Sequence, residues 1–417
     1  MHCSTRMQAG RRSPKVAVLD TIHGGSIIAR KMVESGIEAE ALEVYHHTTS
    51  LAGFDGVAAP VHLAPNNPHL VEARRRNLKI ITHHQAVGEL MEPALNGVEV
   101  FEITGTHSKT STALLLAMIL SHQKRVLSHT TRGLEIWSAG ETHLLKNGLS
   151  ITPGNAIIAA EEAAKQGAAA LICEISLGGT GRANYGILTS LSGDYRIAGA
   201  SKWASTAKLQ MISLARKGSK LIANTDARIS ADISFASEGR VDAKPDRLIF
   251  GEVELALSLS EDLDFAGYRT AIAAAAAAAE AAGIERDEIA LSLQDFDGFS
   301  GRMKIKRLPD MTYFDNSNSG LKVRDVARAL DRARGPDLAV VVGEDAETVC
   351  EGLNILALRD LLRERRAEMA KLILVGKRLE PLAAELKADT AKNLAEGLGK
   401  AETFGLKRLL SCVKCFR

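Results

Sequence analysis

The chain has 417 residues, of which 46% are hydrophobic and 24% charged; this is a globular composition, too long for one ordinary core, and three domains are expected. A net charge of +2 gives no general case for nucleic acid or a membrane surface, and no apolar run nears the ~18 residues of a membrane span, so a soluble, cytoplasmic protein is expected. The five cysteines, Cys3, Cys173, Cys350, Cys412 and Cys415, form an odd, scattered set that fits a reducing compartment better than a disulfide framework.

In chain order, residues 1–14 open with "MHCSTRMQAGRR", basic but followed by no apolar stretch. They are expected to be a disordered tail rather than a signal peptide, and Met7 is an alternative start. Residues 15–96 alternate short β-branched runs with helical stretches: "KVAVLD", a helix after "HGGS", "AEALEVY", "DGVAAPV" and "KIITHH". That pattern predicts a small parallel α/β domain. Residues 97–298 open with the strand "VEVFEIT" and continue through "AALICEISL", "YGILTSL" and "SKLIANT" to the helix "TAIAAAAAAAEAAG", whose small side chains suit close packing. Residues 299–417 read strand "MTYFDN", helix, strand "DLAVVVG", helix, strand "KLILVG", helix and a last strand at "RLLSCVKC". The fold class is therefore α/β, each domain a mostly parallel sheet with flanking helices.

The first strand of the middle domain runs into "ITGTHSKTST". A turn between a strand and a helix aims backbone N–H groups and the positive helix end at phosphate, a lysine reaches the terminal phosphates, and a hydroxyl binds magnesium. Gly105, Lys109 and Thr110 can fill these roles. The plainer alternative is a polar helix start capped by Thr104 or Ser108. Ser108 stands where such loops normally carry glycine, which costs something only if that position needs φ > 0.

The stretch resembles the ATP loop of the Mur ligase superfamily, and further motifs follow in that family's order, so a three-domain Mur-ligase-like architecture using ATP and Mg²⁺ is implied. The resemblance assigns Gly105, Thr106, Lys109, Thr110 and Ser111 to the nucleotide, with Thr110 and Glu174 of "CEISLGGTG" on magnesium. Lys208 of "STAKLQM" matches a lysine carbamylated in many members. Asn224 and Asp226 of "IANTDA", Arg302 of "FSGRMKI" and Asp315 of "YFDNSNSG" match nucleotide-contacting segments. Lys109, Glu174 and Lys208 are the expected catalytic set. The chain departs from the family at Asp194-Tyr195, where Mur ligases carry Asp-His near magnesium, at Gly267-Tyr268-Arg269 in place of Gly-His-Asn, and at Asn316-Ser317-Asn318, where amide-forming members often have a lysine.

"LDTIHGGSIIA", "VYHHT", "APVHLAP", "THHQAVGEL", "SLGGTG", "GDYRIAG" and "SCVKCFR" resemble, more narrowly, the coenzyme F(430) synthetases. This implies activation of a propionate of a nickel seco-tetrapyrrole, seco-F(430) acid, as an acyl phosphate, then attack by a ring carbon. Of the twelve histidines, His23, His46, His62 and His83 are placed on a substrate-facing surface, as metal-binding neutral rings or as partners for the substrate's carboxylates. The alternative leaves them as strand-end residues with hydrogen-bonded rings. Gly24 and Gly25 before a helix offer an anion-binding N-terminus for a propionate. Two rival functions stay open: a Mur-type amide-forming ligase, and a P-loop GTPase that handles nickel as a metallochaperone, although "NTDA" lacks the lysine of a guanine motif. Oligomeric state is not legible.

Overall fold

The computed structural model describes residues 14–345 and 352–416; the expected tail up to residue 13, with Cys3 and Met7, and Cys350 lie outside the described residues. Among the described residues three large sheets and a two-stranded ribbon, Arg196–Ile197 with Lys202–Trp203, organise the fold. The first has four parallel strands in the order Glu38–Leu42, Lys15–Leu19, Gly56–Ala59, Lys79–Thr82. The run "KIITHH" divides at its middle, because Thr82 and Gln85 form a reciprocal capping box and His83 opens the helix His83–Met91. That box satisfies two otherwise orphaned backbone donors, which favours helix over a longer strand.

The central sheet has eleven strands. It is parallel from Val126–Thr130 across Ala170–Glu174, Glu99–Thr104, Tyr185–Leu188 and Lys220–Asn224 to Ile233–Phe235 and Val241–Lys244. Antiparallel hairpins extend both edges. Sequence pattern alone missed the hairpin of Gly133–Ser138 and Glu141–Lys146. Its turn uses Ala139 and Gly140, both at positive φ (52° and 82°), and an alanine there is not the usual turn signal. The third sheet has six strands, with Arg408–Lys414 inserted between Thr312–Asp315 and Leu338–Glu344.

On one face of the central sheet the helices Lys109–Leu120 and Phe265–Ala281 share a core. Residues 271–279 of the second helix are all 0% exposed; alanine all round lets it lie close against its neighbour, as small residues do. The other face is covered by the helix Pro153–Lys165, and its core is continuous with the first domain: Val18, Ile28, Met32, Ala86 and Val87 cluster with Ile157, Ala160 and Leu171. First and central domains therefore pack as one body. The third domain has its own cores on both faces of its sheet. It joins the middle through an aromatic link in which the Phe299 amide donates to the Tyr268 hydroxyl (2.7 Å), beside Phe296. Among the described residues no helix is long and apolar enough to cross a membrane.

Ala275→Leu forces extra volume into a stretch of helix that is fully buried on every side. A loss of about 1–3 kcal/mol is expected, read as a lowered midpoint in denaturant.

Candidate functional site

Parallel sheets gather their loops at the carboxyl ends of the strands, and the candidate site lies there. Gly105 leaves its strand at φ 151°. A Cβ there would sit 2.1 Å from Thr189 Oγ1 and 2.9 Å from the Ser190 amide, so only glycine fits. The Thr106 amide donates to the Ser190 carbonyl (2.9 Å), its hydroxyl to the Ser192 carbonyl (2.6 Å), and the Thr189 hydroxyl to the His107 carbonyl (2.6 Å). The loop is thus stitched to the end of the neighbouring strand. Ser108 precedes the helix in the left-handed region, φ 63° and ψ 0°, without a side-chain cap. This position does need φ > 0, and serine bears a strain that glycine would not. The Lys109 ammonium folds back to donate to the Gly105 carbonyl (3.1 Å), and burial lowers its pKa.

Glu174 ends the strand next to the loop's own. Its Oε2 accepts from the Thr110 hydroxyl (2.8 Å) and the Thr131 amide (3.2 Å). A buried hydroxyl and carboxylate so close are hard oxygen donors of the kind magnesium prefers, so the pair fits that ion. Arg302 arrives from the third domain and donates to the Thr131 hydroxyl (3.3 Å). Asp315 does not line the cavity but supports this arginine: fully buried, it accepts from the Gly301 amide (3.0 Å). Asn318 grips the Gly301 carbonyl from the same side (2.8 Å). The changed Asn316-Ser317-Asn318 segment therefore holds the loop that presents Arg302.

Lys208, 1% exposed, donates to the Ser176 carbonyl (2.6 Å). Burial, helped by the nearby Lys109 charge, pushes its pKa down to about 6. Tyr195, where Mur ligases carry histidine, lies with its ring 5.8 Å from the Lys208 ammonium and 5.1 Å from that of Lys322. Tyr268 and Arg269 are likewise occupied: the first holds Phe299, the second pairs with Asp242 (2.8 Å).

Not every expected residue comes to this place. Asn224 donates to the Thr189 carbonyl (2.8 Å) and accepts from the Asp226 amide (3.0 Å), while Asp226 accepts from the Ser190 hydroxyl and the Leu191 amide. Both brace the strand end beneath the loop, outside the cavity lining. His46 is exposed, with its amide on Glu43. Gly24 and Gly25 are packing glycines; a Cβ on Gly25 would lie 1.7 Å from the Asp20 carbonyl, and one on Gly24 3.1 Å from the Gly154 amide.

His23, His62 and His83 do face the cavity, which has a volume of about 900 Å³ and reaches from them past Lys109 and Glu174 to Arg302. Thr106 and Ser111 border it as well. Pattern reading missed the residue that organises the histidines. Asp20, 0% exposed, receives the His23 Nδ1–H (2.6 Å) and the Tyr45 hydroxyl (2.9 Å) on Oδ2, and the Ile22 and His23 amides on Oδ1 (2.7 and 3.2 Å). Burial works against its charge, but the His23 and backbone hydrogen bonds outweigh it and hold the carboxyl at about 2. A carboxylate at the end of a strand was the available signal. Burial lowers His83 to about 4 and its neighbour His84, also on the cavity, to about 3. These two rings are neutral near pH 7, which removes cationic pairing with carboxylates from His83. That role fits Arg196, Lys322, Arg324 and Arg328 on the cavity wall instead.

Residues 305–415 match the family model "Coenzyme F430 synthetase CfbE, C-terminal domain". The chain is 37% identical to the coenzyme F(430) synthetase of Methanosarcina acetivorans, over 97% of this chain and 99% of that one. Among solved structures it resembles the UDP-N-acetylmuramate-alanine ligase MurC of Thermotoga maritima, with a TM-score of 0.52, 13% identity and 96% and 95% of the two chains covered. It also resembles MurF of Acinetobacter baumannii, with a TM-score of 0.59, 16% identity and 81% and 79% covered. The fold is the three-domain Mur ligase architecture.

Relieving the left-handed serine should help rather than harm: Ser108→Gly gains up to about 1 kcal/mol, read as a higher melting temperature with ATP binding retained. Lys208→Met tests the depressed lysine. Between pH 6 and 10.5 the unfolded chain binds a proton at Lys208 that the folded chain does not, so the wild type gains stability as pH rises through that window. The stability of the variant relative to wild type should therefore be greatest near pH 6.5 and decline toward pH 10, measured by thermal unfolding in CO₂-free buffer.

Proposed function

Because the chain belongs to the coenzyme F(430) synthetase family, we propose that it uses ATP to activate a propionate of a nickel seco-tetrapyrrole, seco-F(430) acid, as an acyl phosphate, and that a carbon of the same macrocycle then attacks the acyl group and closes a carbocyclic ring. The observation that carries this reading is one continuous cavity joining an ATP-type loop to a histidine-lined corner of the first domain and a basic wall from the third. A nucleotide needs the first part. A large polycarboxylate macrocycle suits the rest.

A carboxylate is a poor electrophile, and phosphorylation gives it a leaving group. In the first step a propionate oxygen attacks the γ-phosphorus and ADP departs. Such a transfer needs positioning and charge neutralisation more than covalent help from the protein. Lys109 would meet the phosphates from the loop and Arg302 from the third domain, with Asp315 and Asn318 keeping the arginine in place. Thr110 and Glu174 would hold magnesium, which when bound neutralises phosphate charge and orients the nucleotide. Lys208, largely neutral at pH 7, is chemically suited to carbamylation, which would place a carboxylate beside Ser176. In the second step the nucleophile and the acyl phosphate share one molecule, and a well-oriented intramolecular reaction can lower the barrier by about 7–11 kcal/mol. The cavity walls then serve to keep water off the acyl phosphate.

Purified protein with the nickel seco-acid, ATP and Mg²⁺, and no amine, should yield a product lighter than the substrate by one water, with ADP and phosphate in equal amounts. If turnover appears only with an added amino acid or ammonia, and product mass rises by that amine less water, the chain is an amide-forming ligase.

A further inference from the structure

We propose that His23, oriented by Asp20, is the base that accepts the proton lost by the acylated ring carbon. The inference rests on the carbon-acceptor reading above. In that step the C–C bond forms, the bond from the acyl carbon to the phosphate oxygen breaks with its electron pair leaving on phosphate, and the C–H proton passes to His23, which returns it to the departing phosphate or to solvent. Other side chains near the ATP loop are less suited to take it. Lys109 and Arg302 are cations beside the phosphates, Glu174 and Thr110 are engaged with each other, and Lys208 is tied to the Ser176 carbonyl behind the loop. His83 and His84 are weak bases in their buried setting.

His23 differs from all of these. Its side chain is 28% exposed and borders the cavity, while the carboxylate it touches is wholly buried. Donating Nδ1–H to Asp20 makes Nε2 the basic nitrogen of the ring, and the imidazolium formed on proton uptake keeps an anion at 2.6 Å. A histidine fixed in one tautomer by a buried carboxylate is a recurrent arrangement for proton transfer. Asp20 is placed with effort. It stands at φ 83°, both amides after the turn bind its Oδ1, and Gly25 leaves room for its carbonyl. Among the groups from other segments that face the pair are Tyr45 on Oδ2, His62 with its ring edge-on to His23 at 4.7 Å, and His83 at the head of its helix. The core shared with the helix Pro153–Lys165 holds this corner in a fixed relation to the ATP loop.

The two half-reactions can be separated. With the seco-acid, ATP and Mg²⁺, hydroxylamine traps the acyl phosphate as a hydroxamate, while ring closure is read by product mass. His23→Gln should form hydroxamate within about threefold of the wild-type rate and close the ring about 10²–10⁴-fold more slowly, the usual worth of a general base. ATP consumed per closed product should rise as the seco-acid is returned by hydrolysis. Asp20→Asn, which removes the orienting charge, should likewise keep hydroxamate formation and KM for the seco-acid and lose closure. His23→Ala should regain part of its closure rate with added imidazole. Trapping of hydroxamate shows that each variant is folded.

Closure at the wild-type rate in His23→Gln overturns the proposal, as does a parallel fall of hydroxamate and closure, which would place His23 in substrate binding. The ligand atoms of Asp20, His23 and His62 lie within 4.8 Å of one another. If wild-type closure requires one zinc or nickel ion per chain that Asp20→Asn cannot bind, the trio is a cation site instead. Dependence of the wild type on an amine sinks the carbon-acceptor reading itself, whatever these variants do.

Discussion

The site depends on the register in which the strand Glu99–Thr104 pairs with Ala170–Glu174. Ile103 lies opposite Glu174 on one side and Thr104 opposite Leu188 on the other. That pairing starts the ATP-type loop level with the carboxylate and with the strand end to which the loop is stitched. Slipping by one residue would turn every side chain of the strand to the other face. Glu174 would then leave Thr110, and Thr189 would no longer lie under Gly105. A ladder of backbone hydrogen bonds thus sets the distance between a hydroxyl and a carboxylate some sixty residues apart in sequence.

The three domains contribute through different kinds of contact. The central one supplies the loop and the acid by direct continuation of its strands. The third reaches in through the loop of Arg302, which the buried Asp315 and Asn318 make definite, and adds the basic wall of Lys322, Arg324 and Arg328. The aromatic link at Tyr268 and Phe299 is the anchor from which the loop departs. Tyr268 and Asn318 both stand where the wider superfamily carries other residues, and in this chain both serve the domain junction.

Legibility in sequence followed the range of the interactions. The loop could be singled out because strand, turn, lysine and hydroxyl are neighbours in the chain, and four strands of the parallel middle of the central sheet because they are short apolar runs. Motif order named Glu174 and Arg302 without showing that they meet at Thr131. Asn224 and Asp226 carry the composition of ligand-binding residues, yet their polar atoms serve a strand end, which only the placement of Thr189 and Ser190 reveals. Asp20 and Tyr45 were not legible as a pair, since their contact depends on the order in which the strands of the first sheet are laid side by side. The strain at Ser108 could be posed from sequence only as a condition, because φ is a property of the loop and not of the residue.

The apolar cluster that runs unbroken from Ile28 and Met32 into Ile157 and Ala160 has a consequence for how such chains can be recombined. The small first sheet cannot be treated as a cassette. Exchanging it for the corresponding piece of a distant relative would set two surfaces together that were never fitted to each other, and leave methyl groups bare on both. A crossover near the aromatic link, where the third domain keeps its own cores, cuts through far less shared packing. Chimeras built to change the substrate of this scaffold should therefore carry the first and central domains across as a single piece.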